Sequence, residues 1–245
     1  MKCETVSATH AGNVRTVNQD RFLIKKDTSS TKQTVLIALA DGMGGLADGE
    51  KASSLAMEAL NLWWEKRNPT VALEQTSESL DAIIYEIHRQ IYYLSAETGQ
   101  QTGSTLSLLY IQDGKYLIKQ IGDSRVYCLE NKRIYQLTTD QTWCNFMIRT
   151  GKLTPSEAGQ HRLRHALINA LGVSSELEIA TEQGNLRRGS IYLLCSDGFY
   201  NEAEWDTFVF ELAKMPLQRA LSRAVEQILS GSASDNLTAV LCRIS

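Results

Sequence analysis

The run from Val35 to Ser54 constrains this chain more than any other stretch of it. Val35 to Ala40 is continuously apolar, which reads as a strand buried on both faces rather than one with a wet side. The run stops at Asp41. Gly42, Gly44 and Gly45 then follow within four residues, giving a backbone that can bend sharply and bring its carbonyls close to a bound object. From Asp48 the pattern turns helical, with Glu50 near the start and Ala52, Leu55, Ala56, Ala59 and Leu60 on one stripe. A carboxylate therefore leaves the core at a strand end, on a loop almost without side chains. Such an arrangement suits gripping a small charged body, a cation above all.

The rest of the composition is consistent with a core large enough to hold such a strand. The 245 residues are 43% hydrophobic with three prolines, as expected for an ample globular interior. A net charge of −3 carries no electrostatic footprint for nucleic acid. The five cysteines (Cys3, Cys128, Cys144, Cys195, Cys242) lack paired metal-ligand spacing, and three lie inside apolar runs, so they read as small core residues in a reducing compartment. No apolar run approaches the roughly 18–20 residues of a membrane span, and the first residues lack a signal-peptide pattern. The expectation is a soluble, cytoplasmic protein.

Periodicity places the other elements. An edge strand is expected at Cys3 to His10, with a turn at Ala11-Gly12-Asn13, a short strand at Phe22 to Ile24 and a polar loop over Lys26 to Lys32. The helix after Asp48 should stop near Arg67, before Asn68-Pro69. A second helix runs from about Ser77 to Ala96, with Leu80, Ile83, Ile84, Ile87, Ile91 and Leu94 at helical spacing. Strands follow at Leu106 to Ile111, Tyr116 to Ile121, Val126 to Leu129 and Ile134 to Leu137, with hairpin turns at Asp113-Gly114 and Glu130-Asn131. Thr139 to Gly172 mixes short helical pieces with basic residues. Further strands are expected at Leu177 to Ala180, Ile191 to Cys195 and Leu237 to Ile244, and helices at Glu204 to Lys214 and Leu217 to Leu229. Runs of strands and runs of helices are segregated, which makes the fold α+β. No linker divides residues 1–245, so a single domain is expected.

Five aspartates share one setting. Asp20, Asp41, Asp123, Asp197 and Asp235 each lie one to three residues from the end of an expected core strand. Turn chemistry alone accounts for Asp113-Gly114, which strands flank closely on both sides. It fits Asp41-Gly42 and Asp197-Gly198 less well, because both lead into helices. If such carboxylates converge they repel, by about 4 kcal/mol per pair at 4 Å and an effective dielectric near 20. Protons or metal ions must then stand between them. An all-oxygen set without His or Cys favours Mg²⁺ or Mn²⁺ over zinc, and two such ions can activate a bridging water for attack on a phosphoryl group.

Six short motifs now stand in order along the chain: Arg15-Thr-Val-Asn-Gln-Asp20, Asp41-Gly-Met-Gly-Gly45, Gly103-Ser-Thr-Leu106, Gly122-Asp-Ser-Arg125, Ser196-Asp-Gly198 and Asp235-Asn236. In that order they resemble the motifs of the metal-dependent Ser/Thr protein phosphatases of the type 2C kind, the compact bacterial members especially. Each motif alone is a weak signal, and the series spans nearly the whole chain. The resemblance implies a four-layer αββα sandwich, two central antiparallel β-sheets with helices packed outside each. It implies that Asp41, Asp197 and Asp235, with the Gly42 carbonyl, ligate a binuclear Mn²⁺/Mg²⁺ centre. Asp20 would touch that centre directly or through water, and Asp123 with Asp197 would form a weaker third site. Arg15 would hold the substrate phosphate, a task suited to a fixed fork of donors, so that Arg15, Asp41 and Asp197 carry the chemistry. The implied reaction is hydrolysis of phosphoserine and phosphothreonine on proteins by a metal-activated water, without a covalent intermediate. The implied partners are phosphorylated proteins and a cognate Ser/Thr kinase, with no nucleic acid or membrane, and a monomer is expected.

The chain also departs from the pattern. Met43 stands where animal members carry a histidine assigned as general acid, and many bacterial members also have methionine there. Gln19 replaces a frequent Glu, removing one negative charge from the outer shell. Asp140-Gln141-Thr142 replaces a frequent Asp-His-Ser. Thr150 to Gly172 corresponds to the family's variable flap. Its Gln160-His-Arg-Leu-Arg-His165 run is the most basic patch in the chain, read as a solvated helix face before a substrate contact. His161 and His165 are four apart but lack the glutamate of a zinc helix.

Other chemistries fail on residues. Cys195 has no arginine shortly after it, and the four residues between Cys144 and Arg149 contain no glycine to wrap a phosphate, so a cysteine phosphatase is excluded. Gly44 and Gly49 have P-loop spacing, but Glu50 stands where lysine is required. Asp41 lacks the alternating oxygen ligands of an EF-hand, and a two-metal nuclease should carry a basic stripe. The remaining alternative is a catalytically silent relative that binds phosphoproteins or scaffolds a complex, but such proteins usually lose metal ligands.

Overall fold

Side-chain alternation sets the layer order in the computed structural model, which describes residues 1–27, 33–44 and 48–245. In chain order the first half comprises β1 (Cys3–His10), β2 (Asp20–Asp27), β3 (Thr34–Met43), α1 (Asp48–Lys66), α2 (Leu73–Thr98), β4 (Gly103–Ser104), β5 (Leu106–Gln112) and β6 (Lys115–Ile121). The second half comprises β7 (Arg125–Glu130), β8 (Arg133–Gln136), α3 (Trp143–Arg149), α4 (Pro155–Gly159), β9 (Ala180–Asn185), β10 (Ile191–Cys195), α5 (Asp197–Tyr200), α6 (Trp205–Lys214), α7 (Leu217–Ser230) and β11 (Leu237–Ile244). One antiparallel sheet has the order β1-β11-β10-β7-β8. The other has β2-β3-β5-β6-β9, with β4 paired to the end of β3.

Three hydrophobic interiors separate four layers. In β3, Val35, Ile37 and Leu39 point between the sheets, where they meet Val126, Tyr192, Leu194 and Val240 of the other sheet. The alternate residues Leu36, Ala38 and Ala40 point outward onto α1 and α2, against Ala56, Leu60, Ile84 and Ile87. On the far side Leu193, Cys195, Ala239 and Leu241 pack against Phe208, Leu217, Leu221 and Ile228 of α6 and α7. The continuous apolar run is thus explained: β3 is covered on both faces. At roughly 1.5–3 kcal/mol per fully buried large side chain, these interiors dominate stability. The α+β, αββα architecture expected from the motifs is the one observed.

The same alternation delivers the acids. Asp20 continues the parity of Phe22 and Ile24, Asp41 that of Val35, Ile37 and Leu39, and the antiparallel register sets Asp20 opposite Asp41. Both therefore lie at one end of the space between the sheets. Close approach of backbones holds that end shut. A Cβ on Gly42 would lie 2.0 Å from the Gly49 carbonyl oxygen, so the start of α1 can abut β3 only where both positions are glycine.

Several boundaries differ from expectation. The polar loop over Lys26–Lys32 lies mostly, and Gly45 wholly, outside the described residues. Leu177 to Ala180 is not a strand: β9 begins at Ala180 and runs through polar residues, because as an edge strand it needs only the backbone of β6, while Leu177 and Ile179 pack against the helix-side interior. The second hairpin turns at Asn131-Lys132, both at positive φ (52° and 63°), since Glu130 still pairs with Arg133. The Gln160–His165 run is a succession of turns, not a helix face, and His161 stacks on Trp143 with ring centroids 4.7 Å apart.

Candidate metal centre

Four strand ends and one crossing turn deliver acids to the same place. Asp41 ends the apolar part of β3, Asp123 lies in the turn by which β6 of one sheet passes to β7 of the other, Asp197 follows β10, and Asp235 precedes β11. Asp41, Asp123, Asp197 and Asp235, together with Arg15 and Gly42, line one cavity of about 510 Å³. Asp20 lies behind it, 2% exposed. All the residues expected at the site are therefore brought together, although they span positions 15 to 235.

The backbone around each acid is tied down. The Asp41 N–H donates to Thr105 Oγ1 (3.0 Å), and the Asp41 carbonyl accepts from the Thr105 N–H (2.9 Å) and Ser104 Oγ (3.1 Å). The Gly103–Leu106 motif thus serves to anchor Asp41. Ser196 Oγ donates to Asp20 Oδ2 (2.7 Å) and accepts from the Thr238 N–H (2.9 Å), joining β2, β10 and β11 beneath the cavity. Asn236 Oδ1 accepts from the Gln19 N–H (2.8 Å), and its Nδ2 donates to the carbonyls of Ala11 and Val17 (both 3.0 Å), fixing the loop that carries Arg15. Glu202 accepts from Ser232 Oγ and from the N–H groups of Ala233 and Ser234, bracing the approach to Asp235. Ser196, Thr238, Asn236, Thr105 and Glu202 were not assigned roles from sequence. Three stand inside quoted motifs, but their partners lie up to 225 residues away.

The electrostatics are those of crowded like charges. Burial, opposed by the Ser196 and Thr238 donors and reinforced by Asp197 and Asp235, pushes the Asp20 carboxyl up to about 6. Burial, then the charges of Asp197 and Asp140, raises Asp123 to about 7. Asp41 is raised well above its ordinary value by burial and then by Asp20, Asp197, Asp123 and Asp235. Asp197 is raised by burial and Asp235, against the pull of His165, the Gly198 N–H and Arg15. Arg15 donates to Asp235 Oδ2 at 2.9 Å and so neutralises one of the acids.

These residues fit a hard divalent cation. Asp20 Oδ1 is buried with no hydrogen-bond partner among the described residues, a costly condition that a proton or a cation relieves. Around it stand oxygen donors of the kind Mg²⁺ and Mn²⁺ prefer. Among the described residues no three His, Cys, Asp or Glu side chains are close enough to form a finished coordination group. The structure therefore shows a shared acidic cavity.

With this geometry in view, the comparisons decide the family. The profile of the family described as protein phosphatase 2C matches residues 9–241. The chain belongs to the protein phosphatase 2C family. Membership places it among the phosphatases. It is 30% identical over 239 residues to the serine/threonine phosphatase Stp of Listeria innocua, covering 95% of this chain and 92% of that one. The fold of the Streptococcus agalactiae serine/threonine phosphatase (S. agalactiae) superimposes with a TM-score of 0.92 over 100% of both chains at 24% identity. The catalytic domain of the serine/threonine phosphatase PstP, in complex with two manganese ions, matches with a TM-score of 0.82 and 29% identity over 99% of both chains.

Proposed function

We propose that this protein phosphatase 2C family member is a Mn²⁺- or Mg²⁺-dependent phosphatase acting on phosphoserine and phosphothreonine in proteins. The observation that carries the reading is the meeting of Asp41, Asp123, Asp197, Asp235 and Arg15 in one cavity, with Asp20 Oδ1, buried and without a hydrogen-bond partner among the described residues, behind them. Named serine/threonine phosphatases among its relatives, one structure with two manganese ions, support it. Asp41, Asp197 and Asp235, with the Gly42 carbonyl, would hold two ions; Asp20 would stand beside them, and Asp123 with Asp197 would hold a third. Bound there, divalent ions would lower the pKa of water and neutralise a phosphoryl group for in-line attack.

The chain's own groups do the rest. Arg15, more than half exposed and paired with Asp235, would pass its guanidinium fork to an incoming phosphate. Met43 has no proton to give, so the leaving oxygen would take its proton from water or from another residue. Phosphorylated proteins would be the substrates and a Ser/Thr kinase the counterpart whose output is reversed. Among the described residues no helix is long and apolar enough to cross a membrane, and all five cysteines are buried thiols. We extend the proposal to a monomer, one catalytic domain over residues 1–245, acting in the cytoplasm.

Release of inorganic phosphate from a phosphothreonine peptide tests this reading. Turnover should require Mn²⁺ or Mg²⁺, stop in excess chelator, and be abolished in Asp197→Asn while circular dichroism shows a folded protein. Turnover that persists in chelator or in that variant refutes it.

A further inference from the structure

A second depression of about 670 Å³ adjoins the catalytic cavity, and the two share Ile168, Asn169 and Ser174 as a common wall. That wall is a built one. Asn169 Nδ2 donates to Gln141 Oε1 (2.6 Å) and to the Glu178 carbonyl (2.7 Å), and the Ile168 N–H donates to the Gln141 carbonyl (2.9 Å). Gln141 in turn exchanges bonds with Gly122: its N–H donates to the Gly122 carbonyl (3.0 Å), and its Oε1 accepts the Gly122 N–H (2.7 Å). Gly122 precedes Asp123, so the depression is hydrogen-bonded to backbone adjoining a carboxylate of the catalytic cavity.

Its lining has a definite chemistry. Phe146 is 44% exposed and Ile168 51% exposed, two large apolar side chains presented at one recess. Glu176 and Glu178 contribute negative charge to the lining, and Arg149 a positive one. Asp140 is neutralised by a bidentate bond from Arg125 (2.7–3.1 Å), so the recess is acidic on balance. Apolar surface beside acids, adjoining a site for phosphate esters, matches a polypeptide flank that is apolar and basic.

We propose that this recess binds the polypeptide on one side of the phosphorylated residue, seating an apolar side chain on Phe146 and Ile168 and a basic one against Glu176 and Glu178. The proposal rests on the phosphoprotein reading above. It makes α3 and the 174–178 segment determinants of which phosphoproteins are substrates.

The test uses the full chain with Mn²⁺, two phosphothreonine peptides and para-nitrophenyl phosphate. One peptide carries leucine and arginine beside the phosphothreonine; in the other both are glycine. The wild type should prefer the first. In Phe146→Ala the ratio of kcat/KM on that peptide to kcat/KM on the aryl phosphate should fall about tenfold, mainly through KM, the size expected from a lost apolar contact. The glycine peptide should lose much less, and Glu176→Lys should erase the preference for arginine. Equal losses on all three substrates, or variants that keep the wild-type preference, overturn the assignment of the recess while leaving the phosphatase reading intact. A wild type that hydrolyses the aryl phosphate but neither peptide overturns both.

Discussion

Asp123 offers a measurement of how crowded the acidic cavity is. Its carboxyl, 7% exposed, is raised from the ordinary 3.8 to about 7 by burial and by the charges of Asp197 and Asp140. Below pH 4 the group is protonated whether the chain is folded or not. Between pH 4 and 7 the folded protein keeps a proton that the unfolded chain has released, so stability falls as pH rises through that window. At about 1.4 kcal/mol per pH unit, the stretch from pH 5 to about 7 corresponds to about 3 kcal/mol for this one residue. Asp123→Asn removes the titration and keeps the shape. With chelator present, urea denaturation of both proteins at pH 5 and pH 8 should show the wild type losing about 3 kcal/mol relative to the variant over that interval. Manganese added at pH 8 should restore the wild type, because a bound cation stabilises the charged carboxylates. A difference between the two proteins that stays constant with pH, or that widens in favour of the wild type, would refute the claim that the carboxyl is held neutral by its surroundings.

Two structural predictions follow from the supports beneath and beside the cavity. Ser196→Ala leaves Asp20 Oδ2 and the Thr238 N–H without their 2.7 Å and 2.9 Å partners; the urea midpoint should drop by the equivalent of about 2–4 kcal/mol with an unchanged slope, and a loss under 1 kcal/mol would mean that water takes the hydroxyl's place. Arg125→Lys forfeits the bidentate grip on Asp140, the 2.9 Å bond to Tyr127 and the stack 3.7 Å over Tyr200; it should cost about 3 kcal/mol in the same assay, since a point charge cannot replace the planar fork at a half-buried pair.

What was legible in the sequence follows from what each segment had to satisfy. β10 and β11 begin and end where expected, because both faces are covered and nearly every residue is apolar, Thr238 and Arg243 of β11 excepted. β9 lies mostly outside the expected range because an exposed edge strand needs no apolar side chains; its partner's backbone defines it. The four-residue helix at Asp197 is too short for any periodicity to show. The five aspartates were visible as a recurring position at strand ends, and the parity of Asp20 and Asp41 along β2 and β3 is what turns that position into proximity. The groups that hold them in place were not visible. Asn236 is one amide in a dipeptide until the carbonyls of Ala11 and Val17 arrive from the other end of the chain. The wall made by Gln141 and Asn169 likewise depends on a turn at Gly122 that no local pattern links to either.

The proposed chemistry depends most on the acids of distant segments acting together on divalent ions. Titration of the chelator-treated protein with Mn²⁺ in a calorimeter, beside Asp41→Asn, tests that directly. The prediction is saturable binding of two ions per wild-type chain with proton release near neutral pH, and loss of at least one of them in the variant. Binding that is absent from the wild type, or unchanged in Asp41→Asn, would contradict it.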